Sequence, residues 1–187
     1  MTKFLLIGLL LGICNFTNAQ VFVDVKFITN ENDTVVSKVK TFPNMFNRKI
    51  FDNTTFINSF KIQSEGKLKK IRVSDVKYLE YTDYEGKKIK MMSKQFNGNL
   101  PEYNILYRVV EEGKIGWYQA YYMNSYDRSA NVQEVFVKHD GNYAIVGILN
   151  SYRKKLYPLI EDRPDLIPLL DNISSDGFYD IIKKYNQ

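Results

Sequence analysis

Apolar and polar positions alternate along the first two thirds of the chain. Val21-Phe22-Val23-Asp24-Val25-Lys26-Phe27-Ile28 alternates over its second half as a strand with one buried face does. A turn-prone cluster, Asn30-Glu31-Asn32-Asp33, separates it from Thr34-Val35-Val36-Ser37-Lys38-Val39-Lys40. The same alternation predicts strands over 55–63, 67–73, 76–82, 87–94, 103–111, 115–123 and 132–138. Three connections share an acidic residue, Gly and Lys: Glu65-Gly66-Lys67, Glu85-Gly86-Lys87 and Glu112-Gly113-Lys114, with Asp140-Gly141-Asn142 a looser fourth. A glycine in the second position accepts positive φ and suits a tight hairpin. The glycines lie 20, 27 and 28 residues apart, too irregular for a repeat array. They predict successive hairpins of an antiparallel meander. No Gly-Lys pair is followed by Ser or Thr, which excludes a P-loop.

The period changes after Gly141. Ile145, Ile148, Leu149, Tyr152, Leu156, Leu159 and Ile160 recur at three- and four-residue steps and predict an amphipathic helix of about four turns. Pro158 lies near its end, and Pro164 and Pro168 shorten the next helical segment. Ser174-Ser175-Asp176 offers a helix start that leads into Phe178, Ile181, Ile182 and Tyr185 on one face. Strands first and helices last predict an α+β fold. Its body is an antiparallel β-meander over 20–140, a curved sheet or partly open barrel, and its C-terminal helices occupy 142–186.

The N-terminus has a different grammar. One lysine, an apolar run from Phe4 to Ile13 and a small residue, Ala19, read as a signal peptide over 1–19. Ten apolar residues span about 15 Å as a helix, against roughly 30 Å of bilayer core. Bacterial lipoproteins are cut just before a cysteine, but Leu11-Gly12-Ile13-Cys14 places isoleucine where a small residue belongs. Cleavage after Ala19 leaves a single domain over 20–187 that has lost the chain's only cysteine. The expected setting is periplasmic or extracellular, with no transmembrane segment in the mature chain. Disulfides, thiolate metal sites and cysteine nucleophiles are then excluded together.

The whole chain has 187 residues, 44% of them hydrophobic, and a net charge of +5, which rules out a disordered or disulfide-dense protein. His139 is the only histidine, so a multi-histidine metal site is excluded, and no Gly-x-Ser-x-Gly elbow marks a serine nucleophile for it. Carboxylates are plentiful, but the adjacent pairs Glu111-Glu112 and Glu161-Asp162 point different ways in regular structure. The stretch from Asn172 to Asp180 spaces its oxygens like the start of a calcium loop, yet Lys183 stands where the bidentate glutamate belongs. Neither a catalytic set nor a cofactor is expected.

Binding is better supplied. Basic residues cluster at Lys67, Lys69, Lys70 and Arg72, at Lys87, Lys88 and Lys90, and at Arg153 to Lys155. Export argues against nucleic acid as their partner and leaves an anionic glycan or lipid headgroup beside the plain reading of solvated faces. Trp117, Tyr118, Tyr121 and Tyr122 crowd one strand, with Tyr103, Tyr107 and Tyr126 near. Alternation puts Trp117 and Tyr121 on one side and Tyr118 and Tyr122 on the other. One set is expected in the core, and the other against solvent, a covering helix or a ligand such as a sugar ring. The candidate binding residues are therefore Trp117, Tyr118, Tyr121, Tyr122, Lys69 and Arg72.

Three stretches carry a resemblance: Gly66-Lys67-Leu68-Lys69-Lys70-Ile71 running into Ser74-Asp75-Val76-Lys77-Tyr78-Leu79, then Glu112-Gly113-Lys114-Ile115-Gly116-Trp117-Tyr118, then Tyr152-Arg153-Lys154-Lys155-Leu156 with the terminal Lys184-Tyr185-Asn186. With the leader ending Asn18-Ala19-Gln20, the chain resembles uncharacterised secreted proteins of Bacteroidetes-type bacteria. The resemblance implies an envelope or extracellular protein with a β-rich body and C-terminal helices, and it carries no assigned activity. The expectation is a non-catalytic binding or accessory module that contacts a partner protein or glycan. The alternative is a small secreted hydrolase using carboxylates or His139.

Overall fold

The computed structural model describes residues 21–41, 53–94, 105–124, 126–127, 129–147, 152–171 and 177–187. The leader with Cys14, Tyr103, Ile148, Leu149 and the Ser174-Ser175-Asp176 segment lie outside the described residues. Ten strands form one antiparallel sheet: β1 (Val21–Thr29), β2 (Thr34–Thr41), β3 (Ser59–Ser64), β4 (Lys67–Arg72), β5 (Val76–Thr82), β6 (Lys88–Met92), β7 (Tyr107–Glu111), β8 (Ile115–Met123), β9 (Ala130–Lys138) and β10 (Tyr143–Val146). Their order is β10-β9-β8-β7-β6-β5-β1-β2-β3-β4, and the sheet is not closed. Helices α1 (Tyr152–Ile160), α2 (Ile167–Asp171) and α3 (Phe178–Asn186) follow, completing the expected α+β fold.

The meander has one switch, because β5 pairs with β1 rather than with β4. Four strand spacings of about 4.8 Å separate β4 from β5 in the sheet. The 3-10 turn Val73–Asp75 joins them, and a chain of that length reaches only about 14 Å. The β1–β5 part must therefore curl until its two edges approach. Backbone bonds from Val73 to Asn58 (3.0 Å) and from Asn30 to Asp75 (3.1 Å) fix the curl. Its concave side is filled by Val25, Phe27, Val39, Ile62 and Leu79. Phe56, from the 3-10 turn Asn53–Phe56, meets Phe60 edge-on at 5.3 Å. The strand expected over 55–63 is corrected at its start: consecutive burial of Phe56 and Ile57 breaks the two-residue period, and β3 begins only at Ser59.

The β3–β4 hairpin turns on Glu65 (φ 49°) and Gly66 (φ 76°), both left-handed as a two-residue type I′ turn requires. Glycine takes this conformation freely, whereas glutamate is strained in it. Glu65→Asn is expected to raise stability by about 0.5 kcal/mol, read as a higher denaturant midpoint at unchanged slope.

The second half of the sheet is covered by helices. Ile115, Trp117, Phe136, Ala144 and Val146 form a second apolar cluster with Leu156, Leu159, Ile160, Leu170, Ile181 and Ile182. In α3 the buried residues are Phe178, Ile181, Ile182 and Tyr185, the face predicted from spacing. The residue capping α3 is Gly177, which makes no side-chain capping bond. The helix predicted from Ile145 is corrected: Tyr143–Val146 pairs with β9 as β10, and α1 starts at Tyr152. Both faces of this short strand meet apolar neighbours, so its residues carry no strand-like alternation and mimic the start of the helix. The β-rich region thus extends past Gly141.

The C-terminus is tied to the sheet by one side chain. Asn186 accepts the Ile115 N–H at Oδ1 and donates Nδ2 to the Ile115 carbonyl, both at 2.9 Å. Gly113 makes this approach possible, since a Cβ there would lie 2.3 Å from Asn186 Cγ. Nearby, Lys138 and Tyr185 both bond Asp162, at 3.0 and 2.8 Å. The Tyr185 hydroxyl, then Asp162, raise the Lys138 ammonium to about 12.

Candidate functional site

Residues facing each other across antiparallel strands share a side of the sheet, so the register sorts every strand residue onto one of two faces. On the convex outer face of β1–β4 the register aligns Phe22 with Lys40, Lys40 with Lys61, and Lys61 with Lys70. Lys38 stands opposite Asp24, and Arg72 opposite Ser59. Towards the middle of the sheet Lys26 faces Glu80, which faces Lys90, while Lys88 faces Thr82. The outer face of β1–β6 thus carries eight cations and two carboxylates. That excess of six is larger than the +5 of the entire chain, so the rest of the molecule is near neutral. Glu80 is already engaged: it accepts the Tyr78 hydroxyl at 2.7 Å and pairs with Lys88 at 3.0 Å. These two contacts lower its carboxyl below the ordinary range. Phe22, Val36 and Leu68 are exposed on the same face.

The inner face has a polar seam between its two apolar clusters. Arg108 donates to the Tyr121 hydroxyl (3.3 Å), Tyr121 to Gln119 (2.9 Å), and Gln119 to Glu134 (3.0 Å). The Trp117 indole N–H donates to the other oxygen of Glu134. Every bond runs from the cation towards the carboxylate, so the chain of donors has one direction. Burial raises the Glu134 carboxyl, although the Trp117 and Gln119 hydrogen bonds oppose the shift. This ordered arrangement ties the two halves of the core together.

Above the seam the sheet is split. β6 and β7 pair only at Met91–Arg108 and Met92–Tyr107, and β7 carries a bulge beside Val109. Beyond that point a cleft of about 260 Å³ opens, lined by Lys87, Lys88, Lys90 and Arg108 as well as Glu111 and Glu112. The cleft shares Lys88 and Lys90 with the outer face of β1–β6, and its four cations to two carboxylates make it less one-sided than the eight to two of that face.

The sequence-predicted residues separate. Trp117 is in the core, 6% exposed, stacked on Phe136 at 5.7 Å and edge-on to Phe178 at 5.0 Å. Tyr118 is 4% exposed on the opposite side, over Gly116, and Lys94 donates to its hydroxyl at 2.6 Å. Tyr121 is half-buried in the seam, and Tyr122 is exposed at the strand end. Both faces of the Trp117–Tyr118 segment are closed, so those rings present no binding surface. Lys69 and Arg72 remain exposed on the edge strand β4, Arg72 3.5 Å from Asp75. His139 lies exposed in the β9–β10 turn, its backbone N–H bonded to the Lys114 carbonyl. Among the described residues no group of three His, Cys, Asp or Glu side chains converges as a metal site, and no helix is long and apolar enough to cross a membrane.

Lys26, Lys38, Lys40 and Lys61 were missed as site residues. Their signal is weak but present: Lys38 and Lys40 are two apart, hence on one side of β2, with apolar Val39 on the other. Alignment with Lys61 and Lys70 needs the register. Compared with family models, curated proteins and solved structures, the chain matches none. Fold and surface alone define its class: an open antiparallel α+β protein with one strongly cationic sheet face.

Proposed function

We propose that the chain is exported by its N-terminal leader and works in the bacterial periplasm or outside the cell as a non-catalytic binding module. Its partner is an acidic glycan, held on the outer face of β1–β6. The observation that carries this is the excess of six cations on that face, concentrated on rigid strands rather than spread over loops. Such a field attracts polyanions and speeds their encounter. The setting rests on the leader and on the resemblance to secreted proteins; an N-terminus at Gln20 in the isolated protein is the expected result, and a lipid-bearing Cys14 would contradict it.

Binding to polygalacturonate and hyaluronate in low salt tests the face. Charge reversal at Lys26, Lys38, Lys88 and Lys90 is expected to remove most of the affinity, and added salt to weaken it, because exposed charges are screened within about 10 Å at 0.1 M. His139→Ala is expected to change nothing. Absence of binding to either acidic glycan at low salt, or turnover of a glycan that His139→Ala abolishes, defeats the proposal.

A further inference from the structure

We infer that the cleft between β6 and β7 binds the C-terminal tail of a partner polypeptide as an added strand, with the tail's terminal carboxylate at the closed end. This goes beyond the glycan reading and draws on different chemistry, the backbone edges inside the cleft. Asp83 N–H bonds the Lys87 carbonyl at 2.9 Å, and Ser93 N–H bonds the Lys77 carbonyl at 3.0 Å. Odd-numbered residues of β6 therefore turn their backbone groups towards the β5 side. Alternation then turns those of Lys88, Lys90 and Met92 towards β7. Met92 meets Tyr107 there, but the β6–β7 ladder ends at Met91–Arg108, so no strand residue faces Lys88 or Lys90. On the other wall the same alternation turns the backbone N–H and C=O of Val109, just before the bulge, into the cleft. An extended peptide matches strand donors and acceptors on both walls. A small carboxylate would leave those of Lys88 and Val109 unused.

The cleft also has a direction. β6 and β7 diverge from the Met91–Arg108 pair, so a strand inserted between them runs into a closed end. A chain end fits such a place, whereas a through-going chain has to bend out of the sheet. Charge selects which end enters. Lys90 and Arg108 flank the closed end, Lys90 from the outer face of the sheet and Arg108 from the inner. Lys90 is exposed, and the carboxylate opposite it, Glu80, is paired with Lys88 at 3.0 Å. Arg108 is half-buried and gives one donor to Tyr121 (3.3 Å), but a guanidinium has five. Two cations attract a terminal carboxylate and repel a terminal ammonium. Farther out, Lys87, Lys88, Glu111 and Glu112 line the mouth together, where the charges balance. A tail entering carboxylate-first runs parallel to β6 and antiparallel to β7. The volume of about 260 Å³ lies below the roughly 300–1,000 Å³ of sites for drug-sized ligands, so it suits a few residues of chain.

The full chain, isolated after export, is titrated with the fluorescein-labelled pentapeptide Ser-Thr-Val-Thr-Val bearing a free C-terminal carboxylate. The same peptide as its C-terminal amide, the same peptide N-methylated at alternate amides, acetate and polygalacturonate complete the set. The free acid is expected to bind saturably, and the amide to bind about tenfold or more weakly, the size of a lost charge-assisted hydrogen bond. N-methylation is expected to weaken binding as well, and acetate to compete poorly. Hydrogen exchange at the Lys88, Lys90 and Val109 amides should slow in the complex. Lys90→Glu should weaken the peptide about tenfold or more at an unchanged melting temperature. Lys90 also belongs to the cationic face, so the comparison of acid and amide on the wild type decides without any variant. Equal binding of acid and amide, protection confined to other amides, or full displacement by acetate at equal concentration overturns the tail site. No peptide binding at millimolar concentration overturns it too. If polygalacturonate still binds in that case, the glycan reading survives; if neither binds, both readings fall.

Discussion

Asn186→Ala is expected to lower stability by about 2–4 kcal/mol, far more than an ordinary substitution at the last turn of a terminal helix. Ile115 is fully buried, and the Asn186 amide satisfies both its N–H and its C=O at 2.9 Å. Alanine leaves both groups without that partner, and each buried unsatisfied group costs about 1–3 kcal/mol. Gly113→Ala attacks the same contact from the sheet side. Its new Cβ would fall 2.3 Å from Asn186 Cγ, and the side chain that must move is held by two hydrogen bonds. Each single variant should therefore show a similar loss, measured as a drop in urea midpoint at constant slope. The double variant should be little worse than either alone, because the contact is lost only once. Additive losses would mean that Gly113 and Asn186 act separately, and would sink the latch. In a domain of this size each kcal/mol moves the melting temperature by about 2–4 °C, so the effect is measurable by thermal unfolding as well.

Gly113 also shows where a one-dimensional pattern stops. Four turns look alike in sequence; in three of them the glycine takes positive φ, at Gly66, Gly86 and Gly141. The fourth keeps glycine for space, because the C-terminal helix brings Asn186 against it. Local spacing foretells the first use and is blind to the second. The same division runs through the site. Alternation along β8 correctly separates Trp117 from Tyr118, since it depends only on the pleat. What covers each face depends on remote elements: α3 over Trp117, and Lys94 beside Tyr118. The lysines of β2, β3 and β4 are each visible as polar strand positions, but their alignment into a row is a property of register. Register is set by the Glu65–Gly66 hairpin and by the curl that brings β5 beside β1. The Tyr143–Val146 strand was hidden for the opposite reason: it is apolar on both faces, so its local pattern fits strand and helix equally well.

Trp117→Ala is expected to cost about 3–5 kcal/mol and to loosen the C-terminal helices, because it empties a site packed by Phe136 and Phe178. Trp117→Phe should cost less, as it keeps an aromatic ring there while removing one of two donors to Glu134. The chain has a single tryptophan, so its fluorescence reports this place alone. Its indole N–H bonds Glu134, whose carboxyl is raised above the ordinary glutamate range because burial disfavours the charged form. The emission of the folded protein should therefore change with a midpoint above the ordinary glutamate range, and Glu134→Gln should abolish that change. The sign for stability comes from the same shift. A raised folded-state pKa means that the folded protein holds this proton more tightly than the unfolded chain does. The stability of the wild type relative to Glu134→Gln should thus be greatest in acid and should fall as pH rises through the folded-state midpoint. Taking the difference between the two proteins cancels the opposite slope from Asp162, whose carboxyl is lowered by the Tyr185 and Lys138 hydrogen bonds. A fluorescence midpoint at or below that of an ordinary glutamate, or a stability difference that grows with pH, would show that hydrogen bonds from Trp117 and Gln119 outweigh burial. The seam would then be a site built to hold a negative charge, rather than one that tolerates it in order to join the two halves of the core.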